Sequence, residues 1–167
     1  IAGYEADDVI GTLSAEAERK ELECVVVSID KDMCQLVSDR IRLLDTRQDY
    51  VYLDRKGVEG KMGVPPERII DLLSLWGDAS DNIPGAPGIG EKGALELIRR
   101  FGSLEECLSR HAEVEKKVYR ESLRDNADVI RQSRELVTIQ RDLPIELDLA
   151  GLSVGPPNVP LLAELYR

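Results

Sequence analysis

The sequence predicts an α/β segment with a mainly parallel sheet, followed by an all-helical segment. Three observations carry this. Cys24-Val-Val-Val-Ser-Ile29 is an apolar, β-branched run of strand length that directly follows a helical periodicity. Ile41-Arg-Leu-Leu44 and Tyr50-Val-Tyr-Leu53 repeat the strand signal on either side of a polar turn. Beyond Gly63 the apolar residues recur at helical spacing only. The boundaries expected from these patterns are 1–60 for the α/β part, 61–146 for the helical part and 147–167 for a closing tail or linker.

A chain of 167 residues suffices for one domain or two small ones, and 43% hydrophobic content can bury a core. No apolar run approaches membrane-spanning length and no signal peptide is visible, so no membrane association is expected. The sequence opens at Ile1-Ala2-Gly3 without Met and reads as an internal piece of something longer. Cys24, Cys34 and Cys107 are odd in number and form no Cys-x-x-Cys, which argues against a disulfide framework or structural zinc and fits a reducing compartment. His111, the single histidine, cannot furnish a histidine metal site or a triad on this chain and is expected on a surface helix. A net charge of −10 argues at face value against nucleic acid, so the distribution of that charge matters more than its sum.

In chain order, Glu5-Ala-Asp-Asp8 opens a helix whose Ala6, Val9, Ile10, Leu13 and Ala17 form one apolar face, ending at Lys20-Glu21. Acids in a first turn ordinarily cap amides and meet the positive end of the helix dipole. Cys24–Ile29 reads as a strand buried on both faces. It runs into Asp30-Lys31-Asp32, and ligands gather at the carboxyl ends of strands in open α/β sheets. Asp32 is equally suited to cap a short helix over Met33–Val37. Ile41–Asp54 reads as a hairpin, with Tyr50 and Tyr52 as sheet residues rather than base-stacking platforms. Gly57 to Gly63 reads as a glycine-punctuated connection.

Val64-Pro-Pro66 introduces a helix through Leu75, with Pro66 near its first turn and Trp76 extending its apolar stripe into the core. Asp78 and Asp81 follow, at a spacing that places two carboxylates on one face of a helical turn where they can hold a metal. A turn containing Gly85, Gly88 and Gly90 then feeds a helix over Glu91–Arg100. Gly88-Ile89-Gly90 at a helix N-terminus presents backbone amides to a phosphate. Ser103-Leu-Glu-Glu106 matches a capping box. The charged stretch Glu113–Val137 is helical in composition and is expected to break near Asp125-Asn126. Its Lys116, Lys117, Arg120, Arg124, Arg131 and Arg134 read first as a solvated face, with a minority able to touch a DNA backbone. Asp142–Pro160 reads as a closing tail and Leu161–Arg167 as an amphipathic segment.

Three acidic clusters therefore stand out: Glu5, Asp7 and Asp8 at a helix start, Asp30 and Asp32 at a strand end, and Asp78 and Asp81 before the glycine turn. Hard oxygen donors without His or Cys suit Mg²⁺ or Mn²⁺. Two such ions about 4 Å apart can activate a water and stabilise the leaving oxygen in phosphodiester cleavage. Setting these seven acids aside from the 32 leaves 25 acids against 22 bases, so the excess acidity is concentrated in one place. Seven carboxylates with two divalent ions still sum to a formal −3, which demands basic groups near the substrate and strains the cluster when no metal is bound.

Gly3-Tyr-Glu-Ala-Asp-Asp8, Asp30-Lys-Asp32 with Gln35-Leu36, Gly77-Asp-Ala-Ser-Asp-Asn-Ile-Pro-Gly85 and Gly88-Ile-Gly-Glu-Lys92 occur in that order. Together they resemble the 5′-nuclease domain of bacterial DNA polymerases I, within the flap endonuclease superfamily, over essentially the whole chain. The resemblance implies the C-terminal part of a PIN-like α/β core and then a helical domain with a helix–hairpin–helix. It implies structure-selective hydrolysis of DNA 5′ ends and flaps in primer removal and repair, leaving a 5′-phosphate and a 3′-hydroxyl. By position, Glu5, Asp7 and Asp8 resemble ligands of a first metal, with Asp8 also reaching a second. Asp30, Asp32, Asp78 and Asp81 resemble the second metal's cluster, some acting through water. Gly88, Ile89, Gly90 and Lys92 resemble a hairpin that grips duplex phosphates, with K⁺ held by its carbonyls. The resemblance further implies a monomer in the bacterial cytoplasm, at the nucleoid, with a polymerase domain C-terminal on the same chain.

Two departures accompany it. Gly93 stands where the family commonly has Thr or Ser, and is expected to loosen the helix start by up to about 1 kcal/mol. The family's further aspartates and basic arch lie upstream of Ile1. A second reading is therefore a catalytically inactive fragment acting as a duplex-DNA-binding module. A third, a single-strand ribonuclease with a similar acidic site, is disfavoured by the hairpin.

Overall fold

The computed structural model describes residues 3–47 and 50–166. Helix α1 (Ala6–Arg19) begins at Glu5, as the acidic start predicts. It buries Gly11, Thr12, Ser14 and Ala17, because a later stretch of chain crosses that face closely. A Cβ added at Gly11 would come within 2.6 Å of the Ile139 side chain.

Strand β1 (Cys24–Val27) pairs in parallel with β2 (Ile41–Asp45), placing Cys24 opposite Ile41. Strand β3 (Val51–Leu53) returns antiparallel to β2, with Leu43 opposite Leu53, so the expected hairpin is present; Gln48 and Asp49 of its turn lie outside the described residues. The described sheet is three-stranded and mixed, in the order β1-β2-β3. The expectation that β1 is buried on both faces is corrected. Val26 is buried, but Val25 and Val27 are 43% and 63% exposed. β1 lies at the end of the described sheet, and its alternate residues point to opposite faces, of which the one carrying Val25 and Val27 is open to solvent.

The glycine-punctuated stretch is also corrected: it forms helix α2 (Arg55–Met62). Asp54 caps it, its carboxylate accepting from Gly57 N at 2.7 Å, and Val58 is fully buried beneath it. A cap worth ~1 kcal/mol and one buried side chain worth ~1.5–3 kcal/mol offset two helical glycines at ~1 kcal/mol each. Gly63 closes the helix in the left-handed region, where glycine carries no penalty.

A 3₁₀ turn at Pro66–Arg68 leads into α3 (Ile69–Trp76), the centre of the core, where Leu72, Leu73 and Leu75 are almost wholly buried. Helices α4 (Glu91–Phe101), α5 (Leu104–Ser109), α6 (Lys117–Asp125) and α7 (Ala127–Val137) follow. The expected break between α6 and α7 falls at Asn126. His111 sits in a 3₁₀ turn, its Nδ1 2.9 Å from the Leu108 carbonyl, a structural contact. The buried apolar residues of sheet and helices form one continuous cluster, from Val26 and Leu43 to Ile130 and Val137.

After α7 the chain doubles back over α1. Gln140 N donates to Asp8 Oδ1 at 2.9 Å, Leu143 N to Thr12 Oγ1 at 3.2 Å and Leu147 N to Glu16 Oε2 at 2.7 Å. This strap is the least anticipated part of the fold: nothing in the periodicity of residues 138–147 signals it. Helix α8 (Val159–Leu165) buries no side chain, and no described helix is long and apolar enough to cross a membrane.

Candidate functional site

The first acidic cluster is held by a reciprocal cap. The Glu5 carboxylate accepts from the Asp8 amide, and Asp8 Oδ2 accepts from Glu5 N at 3.2 Å. With its other oxygen on Gln140 N, Asp8 pins the start of α1 to the strap. The capping reading of this acidic helix start therefore holds, and the same three residues line the cleft described below. Asp7 projects between them, its carboxyl pushed above its ordinary value first by burial and then by the charges of Asp30, Glu5, Asp8 and Asp81. Those neighbours come from three separate elements, so the three clusters share one electrostatic environment.

The second cluster follows the carboxyl end of β1. Ser28 Oγ accepts from Asp30 N at 3.1 Å, and Asp30 Oδ1 accepts from Asp32 N at 2.9 Å, which starts the 3₁₀ turn Asp32–Leu36. Asp32 is half-buried, and burial is the main cause of its raised carboxyl. Lys31 Nζ stands 3.2 Å from Asp32 Oδ1, an ion pair whose geometry falls short of a hydrogen bond. That oxygen is thus buried with no hydrogen-bond partner among the described residues.

The third cluster departs from expectation. Asp78 and Asp81 do not lie on one face of a helical turn. They occupy a tight loop closed by Asp78 pairing with Ile83, with N–O distances of 2.9 and 2.7 Å. Asp78 Oδ1 accepts from Ser80 N at 2.7 Å, the side chain offering the backbone an alternative to helix. Gly77 and Gly85 lie back to back at the base of the loop. A Cβ on Gly85 would sit 2.6 Å from Gly77 N, so neither position accepts a larger residue. Ser133 of α7 fastens this base, its Oγ accepting from Gly85 N at 3.0 Å. As a result Asp81 faces the other acids, whereas Asp78 turns to Lys31, whose hydrogen bond holds the Asp78 carboxyl below the ordinary carboxylate range.

Glu5, Asp7, Asp8, Asp30, Asp32 and Asp81 line one cleft of about 370 Å³, also lined by Ile83, by Leu136 and Val137 at the end of α7 and by Thr138 and Ile139 of the strap. Gln35 orients that wall, donating to Val137 O at 2.8 Å and accepting from Ile139 N at 3.0 Å. Six of the seven acids are thus brought together and Asp78 lies just outside. Among the described residues no three of them close on a common point, as expected of like charges facing one another without a counter-ion. The donor set is nonetheless oxygen throughout, and Asp32 Oδ1 is buried with an ion pair but no hydrogen bond, so the residues fit a hard divalent cation.

A second groove, of about 550 Å³, runs from Asp78 past Trp76, Asn82 and Pro84 to Gly90. There the hairpin begins. Gly88 takes φ +80°, a value that favours glycine, and Ile89 is buried, so its side chain anchors the hairpin and only its backbone can face a ligand. Gly90 is the N-cap of α4 and supplies no side-chain cap, which leaves the first-turn amides available; Lys92 is exposed beside them. Gly93, expected to loosen this helix, also sits in tight space. A Cβ there would come within 2.5 Å of the Tyr119 hydroxyl, so glycine leaves room for that side chain against α4. Lys31, Ser133 and Tyr119 were not identified as site residues from sequence. Lys31 alone left a signal, as the base between two aspartates.

Fold and cleft together define a class: an oxygen-donor cleft on an α/β body, joined through one loop to a helical hairpin that presents amides. The chain belongs to the 5′-3′ exonuclease family. Residues 1–63 match the N-terminal resolvase-like domain of 5′-3′ exonucleases, and residues 64–160 match their C-terminal SAM fold. DNA polymerase I of Rhizobium leguminosarum is 42% identical over 160 residues, covering 96% of this chain and 16% of that protein. DNA polymerase I of Bacillus subtilis is 45% identical over 152 residues, covering 89% and 17%. The chain thus spans about a sixth of the length of these curated relatives. T5 5′-exonuclease with bound zinc superposes with a TM-score of 0.74 at 25% identity, covering 82% of this chain and 51% of that one. The catalytic core of Rad2 in complex with DNA shares the fold at a TM-score of 0.56 and 18% identity, covering 92% and 55%.

Proposed function

We propose that this chain carries the cutting and gripping parts of a metal-dependent 5′-3′ deoxyribonuclease that hydrolyses DNA at 5′ ends and flaps, in primer removal and repair. The gathering of six carboxylates from three elements into one cleft supports it most. Glu5, Asp7, Asp8, Asp30, Asp32, Asp78 and Asp81 would hold two Mg²⁺ or Mn²⁺ ions, directly or through water. Such ions, when bound, supply an activated water and charge stabilisation at the scissile phosphate. The chain's own residues supply the rest. The Asp8–Gln140 and Gln35–strap bonds fix the cleft walls. Gly88, Ile89 and Gly90 offer backbone, and Lys92 offers charge, to duplex phosphates one groove away. K⁺ on the hairpin carbonyls belongs to the same reading, as do action as a monomer, a polymerase domain on the same chain and a bacterial cytoplasmic, nucleoid setting.

A second reading is a duplex-DNA-binding module that does not cut, supported by the uncapped first-turn amides of α4 and the exposed Lys92 beside them. Cleavage of a labelled 5′-flap duplex in Mg²⁺, and its loss in EDTA, supports the nuclease. Duplex binding without cleavage favours the module, and neither binding nor cleavage overturns both.

A further inference from the structure

Lys31 is the one basic side chain the structure sets between two acids of the centre, and neither the family comparison nor the cleft geometry gives it a role. Its ammonium is hydrogen-bonded to Asp78 Oδ2 and lies 3.2 Å from Asp32 Oδ1. The three side chains are only 26%, 13% and 13% exposed, so water screens this contact poorly. The Trp76 ring backs the ammonium at 5.8 Å.

We propose that Lys31 is a built-in counter-cation that competes with a divalent ion for the Asp32 and Asp78 oxygens, and so sets how weakly this edge of the centre holds metal when no DNA is bound. The proposal rests on the metal-centre reading above. The argument is one of shared oxygens. A cation entering between Asp32 and Asp78 needs the lone pairs that face the ammonium, so Lys31 must first leave. The edge formed by Glu5, Asp7 and Asp81 has no base within it among the described residues and meets no such competitor there. The two edges therefore differ in affinity although both are built of carboxylates. A released ammonium has a place to go: the Asp78 groove leads along Trp76 to Gly90, where duplex phosphate would lie. DNA arrival and filling of the weak edge thus become favourable together.

The test uses Mn²⁺ alone, without DNA, with free Mn²⁺ read by electron paramagnetic resonance. Wild type is expected to show one tighter and one weaker site. Lys31→Met is expected to tighten the weaker site about tenfold by removing the competing charge, and Lys31→Arg, which keeps it, to resemble wild type. Lys31→Gln replaces Lys31→Met if the latter does not fold in EDTA. A weaker site unchanged or loosened in both uncharged variants overturns the proposal while leaving the metal centre standing. No Mn²⁺ bound by any form overturns both.

Discussion

The acidic cleft and the glycine hairpin flank the same Trp76–Gly90 segment and are built on opposite principles. In the cleft the groups proposed to work are side chains, half-buried or exposed; burial first, and neighbouring acids after it, push Asp7 and Asp32 above their ordinary value. In the hairpin the groups proposed to work are backbone amides, and the side chains place them: Ile89 is buried, Gly88 takes a left-handed turn and Gly93 lies against Tyr119. The cleft is thus a region where function opposes stability. The hairpin is one where the same packing provides both. A substitution should separate activity from stability in the first and couple them in the second.

Asp7→Asn gives the largest effect and the sharpest test of that contrast. Removing one central carboxylate is expected to lower flap cleavage at least about 100-fold, on the order of 3 kcal/mol of transition-state stabilisation. The metal-free protein should nevertheless become more stable, by ~0.5 kcal/mol once solvent screening is allowed for. The pH dependence follows in sign. A carboxyl raised in the folded state binds more protons folded than unfolded, so its contribution to stability falls as pH rises from the ordinary value of 3.8 upward. Asp45 does the reverse. The Arg47 amide and the Lys61 ammonium hold it at about 2, and its contribution is lost as pH falls from 3.8 towards that value. Urea unfolding in EDTA across this range should show Asp7→Asn removing the fall at the upper end and leaving the acid limb intact. An unchanged profile would mean that the cleft acids do not repel as described.

What the sequence made legible follows the same division. Elements specified by local chemistry were read correctly: the acidic start of α1, the β2–β3 hairpin, the Ser103 cap and the break at Asn126. Features decided by distant packing were not. The Gly57–Gly63 stretch becomes a helix because Val58 reaches the core, which no local propensity reports. Val25 and Val27 carry the strand signal but lie on an uncovered face, since β-branched residues mark a strand and not what covers it. The Asp78 loop was misread because i, i+3 spacing says nothing without a helix to carry it. Acid identities are visible, whereas the wall they face, Leu136 to Ile139, comes from the end of α7 and the start of the strap, more than 50 residues from any of them.

Gly93→Thr probes the hairpin side, with an intermediate effect. Its Cβ would meet the Tyr119 hydroxyl at 2.5 Å and the ring at 2.6 Å, so the Tyr119 side chain must shift. A loss of ~1–3 kcal/mol is expected from overpacking, and duplex binding should weaken with it. Tyr119→Ala in the same chain should return much of that loss, a non-additivity read from a double-mutant cycle. Additive losses would show that Tyr119 is not what position 93 accommodates.

Lys92→Ala gives the smallest effect and isolates the hairpin's charge from its packing. The side chain is exposed at the start of α4, and no ion pair to it is found among the described residues, so its removal should leave the unfolding midpoint essentially unchanged. A lysine at this point is also out of place for the helix itself, because a positive charge near an N-terminus opposes the dipole by ~0.3–1 kcal/mol. Its presence there is understandable if it faces phosphate. Duplex binding should then weaken modestly, and the dependence of log Kd on log salt should flatten by about 1, the counter-ion release of one phosphate contact. A weaker complex with the full salt slope would place Lys92 off the backbone and leave the amides of Gly90 to Gly93 as the grip.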